Sequence, residues 1–406
     1  MAENVKELLK LHQDIKHEVY LDNENSTMVP QEILEAMLPF YTKYAYGNPT
    51  LTHKPGWEAY TAIMESSQSI ADSIGAKLEE INFTPGETEA NNLALMGVVR
   101  AKPGRGKKII VSEIEPINIL NVTDLMKKQG YTILKVPVDG EGTVKLEKLK
   151  ELVDKETALA SIHLVNNEIG TIQPIREAVE IVKDKNPEAL FHTDASDGYG
   201  RIPLNVHDLK VDMATLSSFK ILGPRGVGAL YVREGVEVEK ILEGQIGTQK
   251  LWPGIENTPL IAGFSKASEL AFKNFDSNVV KMRNLRDKLV KGILSRMTDV
   301  KLNGPSIEKR SPDNANISFL RCEGEALTIE LSLKGVYVSS GSACSRRLLQ
   351  PSHVLVAIGR RFSEAHGSIL MKTTRYHTEE DIDHVLDAIP PAVERIRGIV
   401  GSAGVE

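Results

Sequence analysis

Two segments of this chain could support chemistry together. One supplies a lysine and the other an acid, and each also contains turn-forming residues. Residues 217–232, SSFKILGPRGVGALYV, place Lys220 between a strand-like run and a turn rich in glycine and proline. Upstream, residues 191–200, FHTDASDGYG, end an apolar run in Asp194. Such an acid must be paired or hydrogen-bonded, because an unpaired buried carboxylate is costly. Pyridoxal phosphate needs these two parts: a lysine for a Schiff base and an acid that keeps the pyridine nitrogen protonated.

Two further segments could bind other parts of such a cofactor. Residues 83–97, FTPGETEANNLALMG, read as a strand, a glycine turn and the start of a helix. The free N–H groups and partial positive charge of a helix N-terminus suit a phosphate, and the Thr88 hydroxyl could add to them. Residues 163–174, HLVNNEIGTIQP, place Asn167 at a strand end, where it could reach the phenolic oxygen of the cofactor. A turn-forming asparagine pair explains that segment equally well.

A fourth segment holds one of the two cysteines of the chain. Residues 339–347, SSGSACSRR, set Cys344 among small and polar residues that neither pack nor bury well. Arg346 and Arg347 could favour its thiolate form. The other cysteine, Cys322 in LRCEGEAL, is interpreted as structural or incidental. Two cysteines this far apart give neither a disulfide framework nor a metal-binding spacing.

The elements that must position these residues alternate in type. From about residue 80 to 232, short β-rich runs alternate with helical patterns whose apolar residues recur every three or four positions. This alternation predicts an α/β fold with a mostly parallel sheet covered by helices on both faces. The pattern then predicts a long helix over about 260–298, followed by a smaller α+β region. Thr378 and Asp381 predict a capping box at the start of the last helix.

The length of the chain, 406 residues, is enough for two domains. We predict an N-terminal segment (1–18), a large α/β domain (19–260) and a smaller C-terminal α+β domain (261–406) that carries the cysteine segment. The N-terminal segment could pack with the smaller domain. No repeat, low-complexity tract or long linker interrupts this organisation.

Composition and charge exclude several classes of function. Hydrophobic residues make up 41% of the chain and charged residues 26%, as in ordinary soluble proteins. The formal net charge of -6 does not indicate a nucleic-acid surface or a basic membrane patch. No apolar run approaches the roughly 20 residues of a membrane span, and the first residues lack the apolar core of a signal peptide. We therefore expect a cytoplasmic protein.

Ten short segments, in order along the chain, resemble those of the cysteine desulfurases, the NifS/IscS-like enzymes of the class-V aminotransferase group. They span about residues 19–396 and are YLDN, GNPTLTH, TPGETEANNLALMG, HLVNNEIGTIQPI, HTDASDGYGRIPL, SSFKILGPRGVGALYV, ENTP, SSGSACSRRLLQPSHVLVAIG, AHGS and RYHTEEDID. The resemblance implies a homodimer of fold-type-I subunits, each with one pyridoxal phosphate. Such an enzyme takes sulfur from L-cysteine or a related amino acid and passes it to an acceptor or scaffold protein, as in iron–sulfur cluster assembly or thiolation.

The resemblance also implies roles for individual residues. Lys220 would form the Schiff base, and Asp194 would hold the pyridine nitrogen. Cys344 would attack the sulfur of the substrate–cofactor adduct, leaving alanine and an enzyme-bound persulfide, and its small-residue segment would let the thiol swing towards an acceptor. The other implied positions are Thr88, Ser217 and the neighbouring Glu87 at the phosphate, Asn167 and Asp197 at the ring oxygen, and Asn25 and Arg375 at the substrate.

The chain departs from the family pattern at several positions around the same pocket. A histidine that usually stacks on the cofactor ring is Pro116, which cannot move protons. The residue before the lysine, commonly histidine, is Phe219. The other departures are Glu24 and Asn25 for small residues, Glu87 for alanine, Asp197 for glutamine, Trp252 for arginine, Ile255 for threonine and Leu370 for arginine.

Three hypotheses remain open at this point. The favoured one is a cysteine desulfurase, because Cys344 stands in its motif. A second is a pyridoxal-phosphate enzyme of the same fold, a lyase or aminotransferase-like enzyme with another amino-acid substrate, which Pro116, Phe219 and Glu24 favour. A third is a weakly catalytic scaffold that binds sulfur-transfer partners. Lys220 argues against the third, since a scaffold needs no imine-forming lysine.

Overall fold

The computed structural model of the chain describes residues 9–104, 106–340 and 351–402. Its strands, numbered in chain order, are β1 (Val19–Tyr20), β2 (Ile81–Thr84), β3 (Lys108–Ser112), β4 (Thr132–Val136), β5 (Thr157–Ser161), β6 (Leu190–Asp194), β7 (Met213–Ser217), β8 (Gly228–Val232), β9 (Val300–Leu302), β10 (Asn314–Phe319), β11 (Val336–Tyr337), β12 (Ser339–Ser340) and β13 (Ser368–Lys372).

The helices within the same ranges lie between these strands and at the end of the described chain. They are α1 (Gln31–Met37), α2 (Pro39–Thr42), α3 (Lys54–Ile74), α4 (Glu87–Ala101), α5 (Ile117–Lys128), α6 (Leu146–Leu152), α7 (Ile175–Lys185), α8 (Val206–Leu209), α9 (Thr258–Phe272), α10 (Phe275–Arg296), α11 (Gly324–Ser332), α12 (His353–Ala357), α13 (Phe362–His366) and α14 (Glu379–Ser402).

A seven-stranded sheet in the order β2–β8–β7–β6–β5–β3–β4 forms the centre of the larger unit. Strand β8 runs antiparallel to β2 and β7, and the pairs from β7 to β4 are all parallel. Every residue of β5, β6, β7 and β8 is buried, as expected for strands of a sheet that is covered on both faces. The predicted strands and the mostly parallel sheet are confirmed.

Both faces of this sheet are covered by helices. Side chains of β3 alternate between the faces: Ile109 and Val111 pack with α4 and α5, whereas Ile110 joins the core built with α3, α7 and α9. The α/β fold class predicted from the sequence is therefore confirmed. The helix predicted over about 260–298 is wrong in one respect, because Lys273 and Asn274 separate it into α9 and α10.

A second, antiparallel sheet has the order β12–β13–β10–β9 and packs against α10, α11 and α14. The strand β1 pairs in parallel with β11, and His17 contacts Asp381 at 2.8 Å, so residues before the large sheet pack on this smaller unit. The capping box is confirmed. The Thr378 N–H donates to Asp381 Oδ2 at 2.8 Å, and the Asp381 N–H donates to Thr378 Oγ1 at 3.2 Å.

The packing of α9 bears on where the larger unit ends. Its Ile261, Phe264 and Ala267 belong to the core of the large sheet, whereas Leu285 and Leu289 of α10 belong to the core of the small one. The polypeptide thus leaves the large core between these two helices. Among the described helices, none combines the length and apolar character required to span a membrane.

Candidate active site

The carboxyl ends of two neighbouring strands bring the lysine and the acid of the sequence analysis to one edge of the large sheet. Strand β6 ends at Asp194, and β7 ends at Ser217. The chain then enters a short 3₁₀ turn, Phe219–Ile221, which contains Lys220. Lys220 is 3% exposed and Asp194 is 4% exposed. In α/β sheets this edge is where ligands bind.

Asp194 is held at the base of this site by two hydrogen bonds. Its Oδ2 accepts from the Asn91 side-chain nitrogen at 2.7 Å, and its Oδ1 accepts from the Ser196 N–H at 3.0 Å. Burial raises the pKa of Asp194 above its ordinary value, and the hydrogen bonds from Asn91 and Ser196 oppose that rise. A cationic N–H partner would stabilise the ionised form of such a buried carboxylate.

Lys220 belongs to a closed ring of four charged side chains, Glu24, Asp197, Lys220 and Lys372, which we call the charge square. Glu24 Oε1 accepts from Lys220 Nζ at 2.6 Å, and Glu24 Oε2 accepts from Lys372 Nζ at 2.5 Å. Asp197 Oδ2 lies 3.1 Å from Lys220 Nζ, and Asp197 Oδ1 contacts Lys372 Nζ. Each lysine therefore contacts both acids, and with all four groups ionised the formal charges cancel.

The electrostatics of the square distinguish its two acids. Burial alone would lower the pKa of Lys220, but Asp197, Glu24 and Glu87 outweigh it and raise that pKa above its ordinary value. Burial opposes the ionisation of Asp197, yet the two lysines and Arg201 hold its pKa far below the ordinary value. Burial and the charge of Asp197 raise the pKa of Glu24 against the effect of both lysines. Asp197 is thus the firmly ionised acid, and Glu24 accepts a proton more readily.

Hydrogen bonds on either side of Glu24 fix its position. The Asn23 side-chain nitrogen donates to the Lys372 carbonyl oxygen at 2.8 Å. The Thr27 hydroxyl donates to the Phe219 carbonyl oxygen, also at 2.8 Å. The segment that carries Glu24 is therefore attached to the end of β13 before the acid and to the lysine turn after it.

Asn167 contacts the same acid. Its side-chain nitrogen donates to Glu24 Oε1 at 3.0 Å. The resemblance implies that Asn167 donates to the ring oxygen of the cofactor. In this structure, the Glu24 carboxylate accepts that hydrogen bond instead. The structure thus brings together Asn167, Asp197 and Lys220, all named from the sequence, with Glu24, which the sequence analysis identified as a departure.

Lys372 is the functional candidate that the sequence analysis missed. Leu370, one of the departures named from the sequence, is buried in β13. Lys372 lies two residues further along the same strand, hence on the same face. The available signal was a lysine at the end of an otherwise apolar strand, because a lysine that is fully buried must be paired.

A cleft of about 380 Å³ opens beside the square at the start of α4. Gly86, the residue before this helix, has no side chain to cap it, so N–H groups of the first turn remain available for a ligand. The cleft is lined by Glu24, Asn25, Gly86, Glu87, Thr88, Glu89, Phe219, Lys220, Arg225, Gly226 and Val227.

Unpartnered hydroxyl groups lie at the adjoining strand end. Ser217 Oγ and Ser218 Oγ are buried and have no hydrogen-bond partner among the residues that the structure describes. Buried polar atoms of this kind normally have a partner. Together with the helix N-terminus and the Thr88 position, they form a set of donors of the kind that a phosphate group binds.

The acid at the start of α4 does not make this region strongly negative. Glu87 Oε1 accepts from the Asn118 side-chain nitrogen at 2.9 Å. Burial, together with the neighbouring Asp194, raises the pKa of Glu87 to about 8. At neutral pH Glu87 is therefore mostly a neutral carboxyl group, which can donate a hydrogen bond to an anion.

The two residues that the resemblance places at the substrate, Asn25 and Arg375, line two different cavities, and Lys220 lines both. Asn25 is exposed at the cleft, and its side-chain nitrogen donates to Asp22 Oδ1 at 2.6 Å. Arg375 Nη1 donates to the Ile221 carbonyl oxygen at 3.3 Å, and its guanidinium lies 5.0 Å from the Tyr376 ring. Arg375 Nη2 is buried without a partner among the described residues. Burial lowers the pKa of Arg375.

The other departures from the family pattern have clear structural settings. Pro116 precedes α5, and the adjacent Glu115 is buried against His163, whose Nδ1 lies 3.1 Å from Glu115 Oε1. Ile255 is 62% exposed and lines a different cleft together with Trp252. None of these side chains supplies an acid–base group at Lys220.

Cys344, with Arg346 and Arg347, lies outside the described residues. The chain before this segment ends in β12, which pairs with β13, the strand that carries Lys372. After it, the Ser352 hydroxyl donates to Glu168 Oε2 at 2.5 Å, next to Asn167. Both flanks of the cysteine segment are therefore anchored to elements that contribute to the site.

Comparison with known proteins identifies the class of protein to which this fold and its lysine-centred site belong. The chain belongs to the aminotransferase class-V family, whose model matches residues 19–385. It is 43% identical over 385 residues to the cysteine desulfurase IscS of Dictyoglomus turgidum, covering 95% of this chain and 97% of that protein. It is 41% identical over 380 residues to cysteine desulfurase IscS 1 of Archaeoglobus fulgidus, covering 94% and 98%.

Solved structures give the same result. A NifS-like protein superimposes with a TM-score of 0.85 at 35% identity, covering 95% of this chain and all of that one. The NifS-like protein from Rickettsia africae superimposes with a TM-score of 0.84 at 30% identity, covering 93% of this chain and 100% of that one. The resemblance to cysteine desulfurases that the sequence motifs indicated is confirmed.

Proposed function

We propose that this chain is a pyridoxal-phosphate-dependent cysteine desulfurase, which converts L-cysteine to L-alanine and passes the sulfur on through a persulfide on Cys344. The observation that carries the proposal is the burial of Lys220 Nζ at the carboxyl edge of the sheet, next to the strand that ends in Asp194. The relatives described as cysteine desulfurases support the substrate and the reaction.

The residues of the site fit the cofactor at three points. The hydroxyls of Ser217 and Ser218, with Thr88 and the first turn of α4, suit its phosphate. Asp194 suits its protonated ring nitrogen, and Lys220 suits its aldehyde carbon. When bound, pyridoxal phosphate draws electrons from the bonds at the substrate α-carbon.

The substrate carboxylate needs a cation that is not already neutralised. Arg375 meets this condition, because its Nη2 is unpartnered within the described chain and its guanidinium has no carboxylate bonded to it there. A guanidinium binds a carboxylate through paired N–H groups. We therefore assign the substrate carboxylate to Arg375, and Asn25 to the outer side of the substrate, where it lines the cleft.

The sulfur step is assigned to Cys344 from its motif. Its thiolate forms a new S–S bond with the substrate sulfur while the carbon–sulfur bond of the substrate breaks. The electron pair left on carbon takes up a proton, which yields alanine, and the persulfide remains on Cys344 for transfer to an acceptor protein. Arg346 and Arg347 favour the thiolate by their positive charge.

A homodimer is part of the proposal. Exposed aromatic and aliphatic side chains concentrate on α1, α2, α3 and the connections between them, and exposed apolar patches of this kind mark interaction surfaces. The side chains are Leu34, Leu38, Tyr41, Tyr44, Tyr46, Leu51, Trp57 and Tyr60.

A second candidate function is favoured by the charge square. Two acids and a second lysine around the reacting amine of Lys220 form an environment that suits a more polar substrate side chain than that of cysteine. This candidate is an enzyme of the same fold and cofactor that acts on another amino acid, as a lyase or an aminotransferase-like enzyme.

An amino-acid panel separates the two candidates. The protein, loaded with pyridoxal phosphate, is incubated with L-cysteine, L-serine, L-aspartate or L-cysteine sulfinate, and the amino-acid products are quantified by chromatography. We expect alanine from L-cysteine, lost in Cys344→Ala and retained in the matched variant Cys322→Ala. A product from another member of the panel, with none from L-cysteine, would establish the second candidate instead.

A further inference from the structure

Lys372 is a lysine buried at the junction of the two units of the molecule. It ends β13 of the small sheet and is 2% exposed. Its backbone N–H donates to the Leu21 carbonyl oxygen at 2.8 Å, and its carbonyl oxygen accepts from Asn23. These contacts direct the end of the strand towards the segment that carries Glu24. The side chain spans the remaining distance and contacts Glu24 and Asp197.

Lys372 links two departures from the family pattern, Glu24 and Asp197, because it forms an ion pair with each of them. Glu24 and Asp197 add two acids at positions where the family has uncharged residues. Leaving one buried acid unpaired is strongly destabilising, so two acids require two cations. Lys220 is one of these cations, and Lys372, which contacts both acids, is the other.

The chemistry of Lys220 makes the second cation necessary. Only a neutral amine has the lone pair that bonds to the aldehyde carbon of the cofactor, so the Lys220 ammonium must first release one proton. The aldehyde oxygen then leaves as water. Once Lys220 has lost its proton, it no longer balances the charge of Glu24 and Asp197, and Lys372 remains as the lysine in contact with both.

We propose that Lys372 is a positioning residue that keeps Glu24 and Asp197 paired while Lys220 changes from an ammonium to a neutral amine. The proposal rests on the proposed function, since it concerns the bond between Lys220 and pyridoxal phosphate. Without Lys372, both acids have only Lys220 as a lysine partner and hold its proton more strongly, so cofactor capture requires a higher pH.

Other charged groups near the square do not substitute for Lys372. Arg201 donates from Nε to Asp313 at 2.6 Å and from Nη2 to the Lys220 carbonyl oxygen at 2.6 Å, so it is already paired. Its bond to Asp197 goes to the backbone oxygen and not to the carboxylate. Arg225 lines the cleft beside Glu24 and Lys220 and donates to the Ser26 hydroxyl oxygen. The charged or titratable groups that face the square are Glu87, Glu89, Glu168, Asp194, Arg201, Arg225 and Arg375.

The test measures cofactor capture as a function of pH in the absence of any substrate. Full-length protein freed of cofactor is titrated with pyridoxal phosphate across the neutral and alkaline range, and binding is followed by visible absorbance. Borohydride reduction followed by peptide mass mapping then reports the fraction of Lys220 that is covalently modified. Three proteins are compared: wild type, Lys372→Met and Lys372→Arg.

We expect the pH midpoint of capture in Lys372→Met to rise by about one unit or more, equivalent to about tenfold weaker capture near neutral pH. Lys372→Arg keeps the charge and is expected to restore a midpoint near that of wild type. An unchanged midpoint in a folded Lys372→Met protein would overturn the proposal. Failure of the wild type itself to capture the cofactor would instead overturn the proposed function on which it rests.

A second pair of variants covers the case in which Lys372→Met does not fold. Glu24→Gln leaves one acid with two lysines, and Glu24→Gln/Lys372→Met leaves one acid with one lysine, so neither variant leaves an acid without a lysine partner. Removing Lys372 in this background is again expected to raise the midpoint. Equal midpoints in the two variants would contradict the role of Lys372.

Discussion

The base of the active site and its charge square adjoin each other and differ in how they are built. The base consists of Asp194, Ser217 and Lys220, which lie at or just after the ends of two paired strands of one sheet. Apart from Lys220, the square is built from the N-terminal part of the chain, the stretch after β6 and the last strand of the small sheet. The base keeps the family pattern, and the square departs from it.

This difference shows which part of the site is free to change. The positions of Asp194 and Ser217 depend on the register of β6 and β7, so a change there disturbs the sheet as well as the chemistry. The square depends on charge balance: an added acid is tolerated when a cation is added that contacts it. Glu24, Asp197 and Lys372 satisfy this condition together, whereas both acids without Lys372 would share one lysine, and Lys372 without them would lose both carboxylates that it contacts.

The largest effect is expected from breaking the base. In Lys220→Ala the amine that bonds to the cofactor is lost, so the visible absorbance of bound cofactor should disappear. Alanine formation from L-cysteine should fall by about four orders of magnitude or more. The exposed Lys148→Ala serves as the matched control and should behave as wild type. Retained alanine formation in Lys220→Ala would show that the reaction does not depend on Lys220.

The next largest effect concerns the stability of the square. Lys372→Met leaves two acids with one lysine, which should lower the free energy of unfolding of the cofactor-free protein by about 3–5 kcal/mol. Urea denaturation measures this change. The comparison variant is Lys266→Met, whose partner Glu269 is half-exposed, and its expected loss is about 0–1 kcal/mol. Similar losses of unfolding free energy in the two variants would show that the buried ion pairs of Lys372 stabilise the protein no more than the pair of Lys266 with Glu269.

A smaller effect is expected at the phosphate end of the base. The Ser217 hydroxyl has no partner within the described chain, so Ser217→Ala should leave the stability of the cofactor-free protein nearly unchanged. Loss of a hydrogen bond to a charged phosphate should weaken cofactor binding by about 10–100-fold. Ser340 is also buried and unpartnered within the described chain but lies in the small sheet, so Ser340→Ala should bind the cofactor normally. Equal affinity of the two variants for the cofactor would show that Ser217 does not bind its phosphate.

The smallest effect is a pH dependence from Glu87. Its pKa is about 8 in the folded chain against an ordinary value of 4.5, so between these values the folded state holds one more proton than the unfolded state. The free energy of unfolding therefore falls as the pH rises through this window. Glu87→Gln should remove about 1–3 kcal/mol of that fall between pH 5 and 8, as measured by urea denaturation at each pH. Parallel pH profiles for wild type and Glu87→Gln would show that Glu87 ionises normally.

The base could be predicted from the sequence because its signals are local. Each strand of the large sheet appears in the sequence as a short β-rich run, and Asp194 and Lys220 stand at or just after the ends of two of them. The break between α9 and α10 at Lys273 and Asn274 was not predicted, because the amphipathic pattern continues across it.

The square could be predicted only in part. Lys372 lies 175 residues from Asp197 and 348 from Glu24 along the chain, so no local pattern links them. The sequence showed two added acids but not the lysine that neutralises them. The neutral state of Glu87 also depends on burial and on the neighbouring Asp194, which become visible only in the folded structure.

The most direct test of the central claim is a single-turnover experiment with the cofactor-loaded wild-type protein and one equivalent of L-cysteine. The account predicts one alanine per subunit and an intact mass increased by one sulfur atom, which peptide mapping assigns to Cys344. Cofactor fully bound to Lys220, with neither alanine nor the added sulfur, would contradict it and show that the changed square serves a different substrate.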